Sequence, residues 1–189
     1  MLKEVEYKYL MSKEQFNSIL ERLKPKFEIR GNNIQINYYY DTQDNLLNTR
    51  NITVRVRQVG EKLKWQIKCH RDEQNALLCS DEYAGTLEDL PLSFRIGDTN
   101  GDLELKGCLV TERKELHFGE GSKICFDTSM YLGMIDYEIE IEYIHCDKQL
   151  ADIIAADLAT SLDIIMPKSK RFFERWEVIN RGKSAVTLC

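Results

Sequence analysis

The feature that most constrains the fold is an alternation of ionisable and apolar residues that recurs in one segment after another. A period of two places the two sets on opposite faces of a β-strand. The pattern is clearest in EVEYK at residues 4–8 and EIEIE at residues 138–142. Strands are predicted at residues 2–10, 34–41, 51–59, 62–70, 79–84, 108–118, 122–128 and 134–144. Eight strands with short connections predict an α+β fold built on a closed, mostly antiparallel eight-stranded β-barrel, since closure removes the exposed edges.

Helices are predicted to flank this barrel. Ser12 and Gln15 form a capping-box pattern ahead of an apolar run with helical spacing. Asp147 opens a second helix, and Thr86 is expected to cap a short helical turn. The apolar stripe expected on the second helix consists of Leu150, Ile153, Ile154, Leu158 and their neighbours Asp157 and Ser161.

The length and charge of the chain limit the number of domains and the kinds of partner that we expect. Its 189 residues predict one domain, which we assign to residues 1–176, followed by a tail at residues 177–189 without clear periodicity. The net charge of −5 argues against a broad basic surface for duplex nucleic acid. No segment approaches the roughly 18 apolar residues of a membrane span, and the first ten residues lack a signal-peptide core. We expect a cytoplasmic protein with no membrane partner and with six free thiols, because no CxxC or zinc-type spacing occurs.

The charged strand faces allow two interpretations. In most antiparallel sheets the apolar face is the core and the charged face is solvated. However, carboxylates two residues apart on one face repel each other unless a cation lies between them. Arg55 and Arg57 likewise place two cations on one face, which suits bidentate contacts to phosphate. If these faces point inward, carboxylates would hold Mg²⁺ or Mn²⁺, and the basic residues would hold a polyanion.

Eight charged or aromatic motifs follow one another along the chain. They are ExExK at 4–8, YYDT at 39–42, RVR at 55–57, WQIK at 65–68 with Glu82, TER at 111–113, Asp127 ahead of Leu132-Gly133, EIEIE at 138–142 and PKSK at 167–170. In these motifs and their order the chain resembles the CYTH superfamily, the triphosphate tunnel metalloenzymes, over residues 1–176. It is especially similar to uncharacterised CYTH proteins of low-GC Gram-positive bacteria.

The resemblance implies a role for each matching residue. The expected metal ligands are Glu4, Glu6, Glu138 and Glu140. The expected triphosphate-binding residues are Lys8, Arg55, Arg57, Lys68, Arg113 and Lys170, and those taken as catalytic are Glu4, Glu6, Lys8 and Arg57. Supporting tunnel residues are Lys64, Glu82, Asp127 and Glu142. Which two of the three glutamates at 138, 140 and 142 bind metal stays open, and Lys170 is preferred to Lys168 because it follows Ser169.

Three functions fit this family resemblance. The first is a metal-dependent triphosphatase acting on inorganic tripolyphosphate or on an organic substrate such as thiamine triphosphate. The second is a class IV-type adenylate cyclase, and the third is a non-enzymatic sensor of polyphosphate or nucleotide. Hydrolysis is favoured because the candidate tunnel face is almost entirely charged, whereas Trp65 is expected in the core and Tyr40 and Asp41 are expected to fix the strand.

The expected partner is a small triphosphate, and the expected assembly is a monomer or homodimer. Loops 71–80 and 97–107 are expected at the tunnel mouth.

Other chemistries have little support in the sequence. His70, His117 and His145 do not stand at the spacing of a nucleophile's base or of metal ligands. The phosphate-loop pattern GxxxxGK[ST] does not occur. These observations leave charge and metal as the predicted means of binding phosphate.

Overall fold

Eight antiparallel strands close into a barrel in the computed structural model, which describes residues 2–74, 77–96, 102–158 and 166–182. The strands are β1 (Leu2–Met11), β2 (Glu28–Asp41), β3 (Ile52–Val59), β4 (Lys62–Gln74), β5 (Leu77–Leu87), β6 (Ser93–Phe94), β7 (Leu103–His117), β8 (Lys123–Tyr131) and β9 (Met134–Glu142). Their order is β2-β3-β4-β5-β1-β9-β8-β7, and pairing of β7 with β2 closes the barrel. The two-residue β6 pairs only with β7 and lies outside the ring. The predicted fold class is confirmed.

Four α-helices accompany the barrel in the described part of the chain: α1 (Lys13–Leu23), α2 (Leu46–Thr49), α3 (Lys148–Leu158) and α4 (Lys168–Arg181). The predicted capping box is present, because the Gln15 amide donates to Ser12 Oγ at 3.2 Å and the Ser12 amide donates to Gln15 Oε1 at 3.0 Å. Two backbone amides at the start of α2 donate to the buried Asp41 carboxylate. Asp41 therefore holds the start of α2, whereas it was expected to fix the strand. No helix in the described ranges has the length and apolar composition of a membrane-spanning segment.

The outer face of the barrel supplies much of the apolar core. Ile124, Phe126, Ile139 and Ile141 of β8 and β9 pack against α1 and α3. On the opposite side, the outer faces of β2, β3 and β4, including Trp65, pack against the segment between β5 and β7. Each large apolar side chain buried in this way contributes roughly 1.5–3 kcal/mol. Because the apolar residues of these strands face outward toward covering segments, the alternating charged residues face the barrel interior.

Helix α4 lies across one end of the barrel. Phe172 and Phe173 pack against Tyr39, Leu109 and Tyr131. The start of α4 is thereby held inside the barrel, where Lys168 and Ser169 are buried. The helix continues through residue 177 to Arg181, so the segment that lacked clear periodicity in the sequence is helical up to that point.

Two local predictions are wrong, and a third, the buried face of the helix after residue 147, is right only for Ile154 and Leu158. Residues 86–89 form no helical turn, because β5 continues to Leu87, which pairs with Leu63. Leu103–Gly107 belong to β7, whereas the irregular stretch was expected to reach Gly107. On α3 the buried face is formed by Ala151, Ile154, Ala155 and Leu158, while Leu150 and Ile153 are exposed.

Candidate functional site

The charged inner faces of the strands surround a cavity of about 50 Å³ that is partly open to solvent. The cavity is lined by Glu6, Lys8, Thr53, Arg55, Arg57, Lys68, His70, Arg113, Glu140, Glu142, Pro167, Lys168 and Ser169. With the exception of Pro167, every lining residue carries an ionisable or hydroxyl group. We describe this site as two walls of opposite charge.

The basic wall consists of Arg55 and Arg57 on β3 and Lys68 on β4. Arg55 is 8% exposed, and its Nε donates to Gln66 Oε1 at 2.9 Å. Arg57 Nε donates to Asn37 Oδ1 at 3.0 Å. Among the described residues, neither arginine forms an ion pair with a carboxylate. Their neighbours are neutral amides, which orient the guanidinium groups without cancelling their charge.

The electrostatic environment of Arg57 reflects this lack of a counterion. Burial, followed by repulsion from Arg55 and Arg113, lowers the pKa of Arg57 to about 10. The group remains protonated at neutral pH. The basic wall therefore holds desolvated positive charge that an anion in the cavity would stabilise.

The acidic wall consists of Glu6 on β1, Asp127 on β8, and Glu138, Glu140 and Glu142 on β9. Cations from this chain are interspersed with its carboxylates. Lys8 Nζ lies 3.0 Å from Glu6 Oε1, and it donates to Glu140. Burial opposes the charge of Lys8, but Glu140, Glu6 and Glu138 raise the pKa of Lys8 well above its ordinary value.

Arg113 of β7 extends across the acidic wall. Its Nε and Nη2 donate to the two carboxylate oxygens of Asp127 at 2.8 and 2.6 Å. The same guanidinium contacts Glu140, and Nη1 donates to Glu142 at 3.0 Å. Although burial opposes its charge, Asp127 and Glu140 hold the pKa of Arg113 well above its ordinary value. Arg113 therefore joins three carboxylates.

Lys168, at the start of α4, lies at the centre of the deepest carboxylates. Its Nζ is 2.5 Å from Asp127, 2.7 Å from Glu138 and 2.6 Å from Glu140. Against the effect of burial, Lys168, Lys8 and Arg113 hold the pKa of Glu140 well below its ordinary value. Glu138 also accepts a hydrogen bond from Arg171 at 2.7 Å. The Lys168 ammonium thus occupies the position between these three carboxylates that a metal cation would need.

The acidic wall also contains donor atoms that could hold a divalent metal. Two groups of metal-ligand side chains occur among the described residues, Asp127 with Glu138 and Glu140, and Cys125 with Glu140 and Glu142. The first already surrounds Lys168. In the second, Glu142 lies opposite Glu6 in the β1–β9 register. Carboxylates at Glu6, Glu140 and Glu142 offer the hard oxygen ligands that Mg²⁺ and Mn²⁺ prefer.

The residues expected at the site fall into three sets. Glu6, Lys8, Arg55, Arg57, Lys68, Arg113, Glu140 and Glu142 line the cavity. Asp127, Glu138 and Glu82 lie behind it and contact lining residues, with Glu82 3.6 Å from Lys68 Nζ. Lys64 is exposed and outside the cavity lining, and the side chain of Glu4 lies outside the described part of the structure.

The preference for Lys170 is corrected by the position of α4. Lys168 lines the cavity, whereas Lys170 is half-buried and not among the lining residues. Two residues along an α-helix turn the side chain by roughly 200°, so only one of the two lysines can face the barrel interior. The first residue of the helix takes that position.

Besides Pro167 and Lys168, three lining residues were not among the sequence candidates: Thr53, His70 and Ser169. Thr53 alternates with Arg55 and Arg57, and His70 alternates with Gln66 and Lys68. The period of two could therefore have identified the first two. Ser169 lies within the PKSK motif at 167–170, but its direction depends on where α4 enters the barrel. The β4–β5 connection at 75–76 and residues 97–101, both within loops expected at the tunnel mouth, lie outside the described residues.

Solved structures with the same fold include two named as candidate adenylate cyclases. One, from Bacillus halodurans, is 28% identical, covers 92% of this chain and all of its own, and has a TM-score of 0.68. The other, from Hippeastrum, is described as having a dominant triphosphatase activity; it is 18% identical, covers 90% of this chain and 95% of its own, and has a TM-score of 0.71.

A more distant structure is the Mimivirus capping enzyme triphosphatase, 11% identical, with coverage of 83% of this chain and 88% of its own and a TM-score of 0.53. No curated protein matches the sequence. The CYTH domain family model, by contrast, matches residues 2–175. That match includes both charged walls, and with the closed barrel around them it shows that the chain belongs to the CYTH domain family.

Proposed function

We propose that this protein is a divalent-metal-dependent triphosphatase that hydrolyses the terminal phosphate of a small linear triphosphate. The substrate class comprises inorganic tripolyphosphate and organic triphosphates such as thiamine triphosphate. The observation that carries the proposal is the basic wall, in which Arg55 and Arg57 lack carboxylate partners among the described residues. It faces carboxylates suited to a metal across one cavity. A polyanion bound to a metal would give the arginines a counterion and the carboxylates a cation.

Each wall has a separate task in this proposal. Arg55, Arg57 and Lys68 bind the nonbridging oxygens and stabilise the negative charge that develops on the leaving phosphate. Glu6, Glu140 and Glu142 hold Mg²⁺ or Mn²⁺, with the side chain of Glu4 as a further expected ligand. Bound there, the metal supplies charge neutralisation and lowers the pKa of a coordinated water. Lys8 and Arg113 fix the carboxylates and keep them ionised.

Adenylate cyclase is the second candidate, because the 28%-identical Bacillus halodurans structure is named as one. A cyclase must orient a nucleoside as well as a triphosphate. The described cavity lining contains no Phe, Tyr, Trp or aliphatic side chain other than Pro167, and Trp65 packs in the outer core. This composition favours recognition of phosphate, which supports hydrolysis. The Hippeastrum relative is described with the same preference.

A substrate panel tests the proposal directly. Tripolyphosphate, thiamine triphosphate and ATP are each incubated with Mg²⁺ or Mn²⁺, and released phosphate, pyrophosphate and cyclic AMP are measured. We expect tripolyphosphate to be cleaved at least as efficiently as ATP, with no turnover in chelator. Faster formation of cyclic AMP than of phosphate would favour the cyclase, and tight binding without turnover would favour a sensor.

We also propose that the protein is cytoplasmic, as the sequence suggests.

A further inference from the structure

Three polar residues in the cavity lining have no role in the function proposed above: Thr53, His70 and Ser169. Thr53 lies on the inner face of β3, directly opposite Lys68 in the β3–β4 register. His70 is two residues beyond Lys68 on β4. Ser169 is the second residue of α4 and is 7% exposed. These side chains therefore meet beside the basic wall, where α4 enters the barrel.

The three side chains form one hydrogen-bonded chain. Thr53 Oγ1 donates to Ser169 Oγ at 2.8 Å, and His70 Nε2 lies 3.0 Å from Thr53 Oγ1. A hydroxyl has a single proton. Because Thr53 gives that proton to Ser169, the bond with His70 requires His70 Nε2–H as the donor.

This directionality determines what Ser169 can do. Its oxygen accepts from Thr53, so its own proton is directed elsewhere, and no acceptor for it is found among the described residues. A buried hydroxyl proton without an acceptor costs free energy. Ser169 lines the same cavity as Arg55 and Lys68, where an anionic oxygen would supply the acceptor.

We propose that the Ser169 hydroxyl donates a hydrogen bond to a phosphate oxygen of the substrate, and that Thr53 and His70 are positioning residues that orient it. The identity of the ligand rests on the proposed function. Hydrogen bonds to ionised acceptors are shorter and roughly twice as strong as neutral ones. A correctly oriented hydroxyl therefore increases the affinity of the basic wall for phosphate. The chain also ties the start of α4 to the barrel wall beside the bound phosphate.

Calorimetric titration with tripolyphosphate in EDTA tests the hydroxyl contact without turnover. Ser169→Ala should weaken binding by roughly 10- to 100-fold, the scale of one hydrogen bond to a charged group. Ser169→Thr keeps the hydroxyl and should retain most of the affinity. The matched control is Ser129→Ala, since Ser129 pairs with Thr111 at 3.0 Å inside the barrel but does not line the cavity. Equal affinities for Ser169→Ala, Ser129→Ala and the unaltered protein would overturn the proposal.

The positioning roles need a second set of variants. Thr53→Val and His70→Leu should each weaken binding, while Thr53→Ser and His70→Gln, which keep a donor in place, should restore most of it. In the Ser169→Ala background none of these changes should weaken binding further, because they act through Ser169. Additive losses in that background would contradict positioning.

Turnover with Mg²⁺ separates this inference from the proposed function. If the unaltered protein binds tripolyphosphate but does not cleave it, the triphosphatase proposal fails and the Ser169 contact stands on the binding data. If the protein cleaves tripolyphosphate and Ser169→Ala binds it normally, the contact fails and the triphosphatase stands. Absence of binding in EDTA together with absence of binding and cleavage in Mg²⁺ would reject both.

Discussion

The acidic and basic walls of the cavity are both formed by side chains of the barrel strands, yet their charges are balanced in different ways. Every described carboxylate of the acidic wall lies within ion-pair distance of a cation from this chain, through Lys8, Arg113, Lys168, Arg171 or Lys123. In the basic wall, Arg55 and Arg57 have only neutral amide partners among the described side chains. The carboxylates of the acidic wall thus have cations of this chain as partners, whereas the two arginines of the basic wall have no counterion among the described side chains.

This difference separates stability from ligand binding. Removing one member of a buried ion-pair network leaves an uncompensated charge and typically costs about 3–5 kcal/mol. Removing a cation that has no counterion relieves repulsion and desolvation instead. Substitutions in the acidic wall should therefore affect the fold as well as activity, whereas those in the basic wall should affect ligand binding alone.

The largest loss of activity is expected for Glu140→Gln. Glu140 contacts Lys8, Arg113 and Lys168 and is a proposed metal ligand, so loss of its charge disturbs both the metal and the cations around it. Tripolyphosphate hydrolysis should fall below detection at every Mg²⁺ concentration tested. Circular dichroism would verify folding, and Glu6→Gln is a second variant for the same metal site. Glu112→Gln, at a half-buried position paired with Lys114 outside the cavity, is the matched control and should be fully active.

Arg57→Ala should reduce kcat/KM by about 10²- to 10³-fold, the scale for loss of one preorganised donor to a developing negative charge. Arg57→Lys should recover only part of this loss, because the planar guanidinium fork is absent. The thermal midpoint without ligand should be unchanged or higher. Full activity of Arg57→Lys on tripolyphosphate, thiamine triphosphate and ATP would show that Arg57 makes no bidentate contact. Arg95→Ala, on an exposed arginine, provides the control.

A pair of stability measurements sharpens the comparison of the walls. Arg113→Met should lower the free energy of unfolding by about 3–5 kcal/mol, since Asp127 loses its bidentate partner. Arg55→Met should leave that free energy unchanged or raise it. Urea denaturation of both variants without ligand gives the two values. A large destabilisation by Arg55→Met would mean that the basic wall has a counterion within the chain.

Local pattern was sufficient to predict much of the fold. The alternation in β1, β3, β4, β8 and β9 identified the strands, and the capping box identified α1, because both signals depend on neighbours only a few residues apart. Residues 86–89 show where such signals fail. There the capping pattern of Thr86 competed with pairing to β4, and the strand formed because Leu63 and Leu87 are brought together by the hairpin.

The site was predictable on the strands and less so where α4 meets them. Glu6, Lys8, Arg55 and Arg57 share their faces by a fixed period of two, so their common direction followed from sequence. Which carboxylates form an ion pair with a lysine of α4 depends on how that helix, distant in sequence, enters the barrel. That information lies in the packing of Phe172 and Phe173 against Tyr39, across more than a hundred residues of sequence, and no local spacing contains it.

The smallest effect is expected for Lys170→Met. Lys170 is a half-buried residue outside the cavity lining, and no ion pair joins it to a described carboxylate. Its substitution should change the free energy of unfolding by no more than about 0.5 kcal/mol, as is usual for positions without specific contacts. Lys168→Met, two residues away, should instead destabilise the protein and abolish hydrolysis, because Asp127, Glu138 and Glu140 lose their shared cation. Urea denaturation and tripolyphosphate hydrolysis, measured on both variants, test the orientation of α4. A larger loss of activity for Lys170→Met than for Lys168→Met would require α4 to enter the barrel with its other face inward.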